Sequence, residues 1–494
     1  MRLNVLSRGS ALARLQAALV SRALSRAHPG LVVECHTRAS AGDRDQATPL
    51  WQLGDRGAFT ADLSHALLHG EADVVVHSFK DLPIELPPGT TVAGALPRAD
   101  PRDLLLIRRR IVGAAPAEIR ILSSSPRRAF LLQETLPSLL PWPVRAVHTQ
   151  PVRGNIETRL RKLVEGDAHG LVMAKAALDR LLTFGPPFER EAATVRGYLD
   201  QCHWMVLPMR EFPWAPAQGA LALEIREGRD DLQALLEEIV CRATTNAVTA
   251  ERQLLAAQGG GCHQALGAAI IDTPYGRVVS IRARGPADEH ECRWELAAPR
   301  AEFPRASAER VWPAPGEEIN ATRNPLPAQR PGPDVGLRVT RAEALPSGWA
   351  PTPDTAVWAA GGQTWRKLAA QGIWVHGCAD GLGDEERPPV DALAGRDVTW
   401  VRLTHAAGAN TADAVATYSV TPELPEDLPS RSHFFWTSGT VFTTALARWP
   451  ALDRGWHGSG PGRTHQVIAA ALGDAGRTGV WLDRASWERD ICLS

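Results

Sequence analysis

The sequence predicts an α/β protein of several domains, and three observations carry that expectation. Its 494 residues exceed one ordinary core, at roughly 100–200 residues per domain. Short apolar runs alternate with stretches whose apolar residues recur at helical spacing, the order that lays helices over a mostly parallel sheet. Residues 72–77, with Val74, Val75 and Val76 at their centre, read as a strand buried on both faces, as inside a parallel sheet.

The elements follow in order. Residues 3–6 read as a short strand. Ser10 then caps a helix carrying Leu12, Leu15, Ala18, Leu19 and Leu24, stopped by His28-Pro29-Gly30. A strand at 31–35, a helix at 59–68 and the strand at 72–77 come next. The pattern returns with a strand at 119–123, a helix after Pro126 and a strand at 171–174. Beyond Gln218 the character changes: a helix at 247–257, strands at 268–271 and 278–284 and a helix at 306–311 predict a smaller α+β domain. Six prolines in residues 312–334 mark a linker. A further α/β segment fills 335–494, and no internal repeat is present.

Hydrophobic residues at 44% and charged residues at 22% are ordinary for a soluble globular chain. A formal net charge of −1 gives no global field to recruit nucleic acid or an anionic membrane, so any anion must be held by locally clustered arginines. Lysine is scarce: only Lys80, Lys162, Lys175 and Lys367 occur, and the other 50 of the 54 basic residues are arginine. The seven cysteines are dispersed, with no CxxC pair and no metal-ligand spacing, so no metal site is expected. Such a set fits a reducing cytoplasm. The N-terminal stretch lacks the apolar core and cleavage site of a signal peptide, and no run approaches the ~18 apolar residues of a membrane span.

Four stretches carry chemistry. Val74 to Pro83 brings His77, Ser78, Lys80 and Asp81 to the expected carboxyl end of a buried strand, the edge where open α/β sheets bind ligands; a solvated loop is the alternative. Ser123-Ser124-Ser125-Pro126-Arg127-Arg128 places hydroxyls before a helix N-terminus, which favours anions, and adds two forked donors for carboxylates; a plain N-cap is the alternative. Arg153 and Arg159 flank a Gly154-Asn155 turn, as surface arginines also do. Gly259-Gly260-Gly261-Cys262-His263 exposes a thiol on a flexible loop, either a nucleophile, an attachment point or an inert cysteine.

Together these stretches resemble the hydroxymethylbilane synthase (porphobilinogen deaminase) family. They read VVHSFKDLP, SSSPRRAFLL, VRGNIETRLRKL and TAERQLLAAQGGGCHQALGA; the opening SRGSALARLQA and the Ala217-Gln218-Gly219-Ala220 segment with Glu224 are similar to family segments, in order over roughly residues 1–305. The resemblance implies a transferase that condenses four porphobilinogen units on a dipyrromethane primer, one per chain, tethered by a thioether to Cys262. Hydrolysis then releases hydroxymethylbilane. It implies Asp81 as the catalytic carboxylate, with Lys80, Asp81, Ser125, Arg127 and Arg128 on the cofactor and Arg8, Ser10, Arg153, Arg159, Arg180 and Gln218 on the substrate. Each pyrrole brings an acetate and a propionate, so fixed arginines are needed. The chain departs from the family at Arg56 for a lysine, Ala61 for a lysine, Pro126 for a leucine, and Ala177 and Ala217 for glycines; the lost glycines predict restricted backbone approach to substrate.

From Leu337 the chain resembles uroporphyrinogen-III synthase more weakly, in Val339-Thr340-Arg341, Gly361-Gly362-Gln363-Thr364, the Tyr418 segment, Trp436-Thr437-Ser438-Gly439 and Gly460-Pro461-Gly462-Arg463-Thr464. That implies a second site with Tyr418, Thr437, Ser438 and Thr464, which either closes the ring of hydroxymethylbilane or persists as a docking domain. The expected architecture is then α/β: two periplasmic-binding-protein-like lobes (1–97 with 200–225, and 98–199), a small α+β domain at 226–311 carrying the cofactor, a linker at 312–334, and a separate α/β synthase-like domain at 335–494. A cytoplasmic monomer acting on a small molecule is expected, with no nucleic-acid or membrane partner. The rival from another class is a non-catalytic two-lobed binding or sensor protein.

Overall fold

The computed structural model describes residues 1–40, 60–259, 264–285, 289–297, 303–383, 386–473 and 476–493; Arg56 and Cys262 lie outside them. The chain divides into two compact units. The first comprises residues 1–272, 280–293 and 390–396, the second residues 273–279, 294–389 and 397–494.

The first unit holds two five-stranded sheets of like design. Strands β1 (Arg2–Arg8), β2 (Val32–Arg38), β3 (Val74–Ser78), β4 (Thr90–Ala95) and β10 (Leu221–Arg226) lie in the order β2-β1-β3-β10-β4. β1 is parallel to β2 and β3, and β10 runs antiparallel between β3 and β4. Strands β5 (Asp103–Arg108), β6 (Glu118–Leu122), β7 (Ala146–Gln150), β8 (Gly170–Ala174) and β9 (Cys202–Val206) take the order β7-β6-β8-β5-β9. Here β6 is parallel to β7 and β8, and β5 is antiparallel to β8 and β9. The chain crosses between the sheets at residues 96–102 and 207–220.

Burial on both faces explains the apolar runs. Leu3, Val5, Val74 and Val76 pack with Ala17, Val20 and Leu24 of the helix Ala11–Ala27. Leu6 and Val75, on the opposite face, pack with Leu63, Ala66 and Leu67 of the helix Ala61–Leu68. The expected elements at 3–6, 31–35, 72–77, 119–123 and 171–174 appear as β1, β2, β3, β6 and β8. Ser10 caps its helix, accepting from the Ala13 amide at 3.3 Å, and Pro126 occupies the first turn of Pro126–Leu139.

Several boundaries differ from the sequence reading. Residues 202–206, grouped there with the first lobe, pair with β5 and so belong to the second sheet. Residues 390–396, expected in the C-terminal domain, count with the first unit; Arg196 donates to the Ala392 and Leu393 carbonyls there, the latter at 2.8 Å, a cation at a helix C-terminus. The 306–311 segment is no α-helix. Only a 3-10 turn forms at Ala308–Arg310, because Val311 and Trp312 are drawn into a strand. After the helix Arg242–Ala257, β11 (Ala265–Thr273), β12 (Gly276–Arg284) and β13 (His290–Ala297) form a three-stranded sheet in that order.

The second unit also has two sheets. β14 (Val311–Trp312), β21 (His433–Trp436), β22 (Trp456–Ser459) and β23 (Thr478–Val480) form one. β15 (Ala321–Pro325), β20 (Ala414–Pro422), β19 (Thr399–His405), β16 (Val335–Val339), β17 (Val357–Ala359) and β18 (Gly377–Cys378) form the other, in that order. β14 and β15 fall inside the stretch read as a linker. Trp312, 2% exposed, belongs to the core of Phe434, Trp436 and Phe442, so the prolines punctuate strands there. Among the described residues, no helix is long and apolar enough to cross a membrane.

Candidate active site

β3 ends at Ser78 and turns into a single 3-10 turn, Phe79–Asp81. Phe79 anchors that turn in an apolar cluster with Leu82, Ala95, Ala220 and Val248, and its amide donates to the Ala220 carbonyl at 3.1 Å. With the aromatic ring held inward, Lys80 and Asp81 line a cavity of about 140 Å³. Arg8, Ser10, Arg180 and Gln218 line it too, so six of the expected site residues meet at the carboxyl ends of β1 and β3, as open α/β sheets dictate.

Gln218 is fully buried and works as a junction. Its amide oxygen accepts from Lys80 Nζ at 3.1 Å and from Arg128 at 3.4 Å, and its amide nitrogen donates to the Pro101 carbonyl at 2.7 Å and to Asp103 at 3.1 Å. Burial, and then the charge of Arg128, push the Lys80 ammonium down to about 8, with Asp81 opposing. Arg159 is similarly crowded. Burial and then Arg128 pull its guanidinium down to about 10, with Asp81 opposing and Arg153 and Arg8 adding repulsion. This excess of cations in a shielded site fits a polyanion.

The hydroxyl loop is organised locally. Ser125 caps the helix Pro126–Leu139, accepting from the Arg128 amide at 3.4 Å. Ser124 Oγ donates to the Val152 carbonyl at 2.7 Å and accepts from the Val152 amide at 2.8 Å, tying this loop to the Arg153 loop. Asn155 caps the next helix on the Thr158 amide at 2.9 Å, and Arg159 Nε donates to the Gly154 carbonyl at 2.8 Å.

Arg127, read from sequence as a cofactor ligand, turns to Asp103 in this structure. It is 3% exposed and donates to Asp103 at 2.7 Å and to the Pro213 carbonyl at 2.8 Å, so its charge faces inward. Asp103 also accepts from Arg128, with Nε at 3.0 Å and Nη2 at 2.5 Å. Sequence reasoning missed this carboxylate; its one signal is an acid opening the wholly apolar run Leu104 to Ile107. It also missed Glu251, fully buried, which accepts from Arg98 Nη1 and Nη2 (2.9 and 2.8 Å), Trp214 Nε1 (2.9 Å) and the amides of Ala217 and Ile270 (2.8 and 3.0 Å). His77, which also lines the cavity, meets Glu224 through Nε2 at 2.7 Å, with Ser64 donating to the same oxygen at 3.0 Å.

Of the two substituted glycines, Ala217 is the one with a special backbone. Ala217 adopts φ +63°, left-handed backbone, but its methyl is buried in the Phe79 cluster and so offsets part of the strain. The position without room is Gly219, at φ +84°, where a Cβ would stand 2.6 Å from the Ala99 carbonyl oxygen. Gly219→Ala is therefore expected to lose roughly 2–4 kcal/mol of stability, combining left-handed strain with a backbone clash. Urea unfolding of the purified variant checks this; a loss below about 0.5 kcal/mol counts against a rigid crossover.

In the second unit, Thr437 and Ser438 follow β21 and Thr464 lies in the helix Arg463–Leu472 after β22. Tyr418, 3% exposed on β20, has its ring 6.0 Å from that of His405 at the end of β19. Arg341 donates to the Thr437 carbonyl at 3.5 Å and Arg463 to the Gly408 carbonyl at 2.9 Å. Burial, and then Arg463, Arg341 and Arg402, hold the His405 imidazole below its ordinary range.

A family model described as porphobilinogen deaminase, dipyromethane cofactor binding domain, matches residues 3–234. The porphobilinogen deaminase of Paraburkholderia phymatum is 35% identical over 308 residues, 60% of this chain and 87% of the relative. The probable porphobilinogen deaminase of Pyrobaculum islandicum is 34% identical over 279 residues, 56% and 85% of the two chains. The porphobilinogen deaminase of Roseiflexus sp. is 36% identical over 296 residues, 57% and 90%. Among solved structures, the probable amino-acid ABC transporter extracellular-binding protein ytmK of Bacillus subtilis aligns over 50% of this chain and 96% of that one, at 11% identity and a TM-score of 0.26. On the sequence matches, the chain belongs to the porphobilinogen deaminase family, and residues 3–234 carry its dipyrromethane cofactor-binding domain.

Proposed function

We propose that the chain is a hydroxymethylbilane synthase, joining four porphobilinogen units head to tail with release of ammonia and freeing the linear product by hydrolysis. The observation that carries this reading is the meeting of Asp81 with Arg8, Lys80 and Arg180 in one cavity. The family's primer is a tetracarboxylate, and the crowding of Arg8, Arg128 and Arg153 around Arg159 suits it. Lys80, Asp81, Ser125 and Arg128 would hold that primer, tethered at Cys262, and it would supply a pyrrole carbon as nucleophile. Arg127 contributes indirectly, as the inner partner of Asp103. Arg8, Ser10, Arg153, Arg159, Arg180 and Gln218 orient the incoming pyrrole by its carboxylates. Asp81 faces the charge that develops as ammonia departs, and takes and returns the ring N–H proton.

Intact mass tests this. Protein from a host that makes tetrapyrroles is expected to carry a covalent excess of two pyrrole units, lost in Cys262→Ser. An unmodified mass together with no porphobilinogen consumption would favour the two-lobed binding or sensor protein.

A second reading concerns the other unit: ring closure of hydroxymethylbilane to uroporphyrinogen III. It is favoured by Tyr418 and His405 lying beside Arg341, and by Arg463, where parallel strands of that unit end, a setting for a carboxylated ligand. The loops of Thr437, Ser438 and Thr464 would complete it. Product analysis decides: the III isomer supports closure, and accumulation of the I isomer alone ends that reading.

A further inference from the structure

Lys175, one of four lysines in the chain, opens the helix Lys175–Thr183 and is 1% exposed. A cation there opposes the helix dipole and forfeits its hydration, and an apolar residue of like volume is often as good for stability. Its place therefore asks for another explanation. Lys175 Nζ lies 2.5 Å from Asp179 Oδ2 and 3.4 Å from Asp100 Oδ2. Asp100 is itself held by Arg102, at 2.6 Å. Asp179 immediately precedes Arg180, whose Nη2 donates to the Gly219 carbonyl at 2.6 Å and whose side chain lines the cavity.

We infer that Lys175 is a positioning residue that holds the Asp179 carboxylate away from Arg180, leaving that guanidinium open for a carboxylate of the incoming pyrrole. The inference rests on the proposed role of Arg180. Asp179 Oδ1 is buried with no hydrogen-bond partner among the described residues, so this carboxylate has an acceptor to spare. Arg180 feels it already: burial lowers the guanidinium to about 10 and Asp179 acts against that shift. Asp100 is no substitute restraint, since it is an acid held by its own arginine. Without Lys175, the cations left near the Asp179 carboxylate are Arg102, already engaged by Asp100, and Arg180, so Asp179 competes with substrate for Arg180.

Steady-state kinetics of the holoenzyme with porphobilinogen test this. Lys175→Met is expected to raise KM about tenfold or more with kcat within about threefold, the signature of lost substrate binding. Adding Asp179→Asn removes the competitor and is expected to bring KM back within about threefold of the parent; a merely structural role for Lys175 gives no such rescue. A folded Lys175→Met with unmoved KM overturns the inference, as does a double variant whose KM stays about tenfold high. Should the single variant not fold, the double variant decides alone on that same criterion. A parent that consumes no porphobilinogen overturns the proposed function and this inference with it; normal turnover with an unmoved KM overturns this inference alone.

Discussion

Asp81→Asn is expected to retain the bound primer and to lose porphobilinogen turnover by about 10²–10⁴-fold, the usual worth of a positioned proton-transfer group. The substitution keeps the shape of the side chain in the Phe79–Asp81 turn, which is fixed by Phe79 and its bond to Ala220, so the cavity survives. What disappears is the one carboxylate that lines it among the described residues. Asp81 also supports the Lys80 charge against burial and Arg128. In the variant that ammonium titrates lower still, so its cation is lost at lower pH, and residual activity falls away earlier on the alkaline side than in the parent. Porphobilinogen consumption across pH and intact mass together check the prediction. Near-normal consumption would remove Asp81 from the chemistry, and loss of the adduct would move its role to holding the primer.

How much of this was legible in the sequence depends on how local each cause is. β3, the caps at Ser10 and Ser125, and Pro126 in its first turn are set by neighbours along the chain, and each was readable. The pairing of β9 with β5 joins residues about a hundred positions apart, and an apolar pattern shows burial without naming the partner. The prolines after Trp312 read as a linker because they interrupt regular structure, yet Trp312 is held by Trp436, rings 4.9 Å apart. Arg127 shows the same limit for function. Two adjacent arginines after a hydroxyl loop read as donors for a ligand, and only Asp103, from another strand, shows that both also hold an inner carboxylate. The tether itself, Cys262, lies outside the described residues, so its role stays with the family resemblance.

That acid leads to the second large effect: Asp103→Ala is expected to destabilise the first unit by about 3–5 kcal/mol, the cost of leaving buried charge without its partner. Asp103 is fully buried between Arg127 and Arg128, whose side chains are 4% and 10% exposed, so neither guanidinium recovers its hydration when the carboxylate goes. Burial works against the charged carboxylate, but Arg127 and then Arg128 hold its pKa well below the usual carboxylate range. A carboxyl depressed by folding contributes stability that is present above its unfolded value, about 3.9, and fades as pH falls through its folded one. The parent should therefore lose part of its stability in acid below about pH 4, and the variant, already without that contribution, should show a flatter acid limb. Asp103→Asn preserves acceptors for Arg128 and Gln218 but not the charge, and belongs between the two. Urea unfolding at pH 7 and in acid reads all three. A loss under about 1 kcal/mol for Asp103→Ala would mean that Arg127 and Arg128 turn outward into the cavity and are solvated there, and that the inner ion triad does not fix the cationic wall.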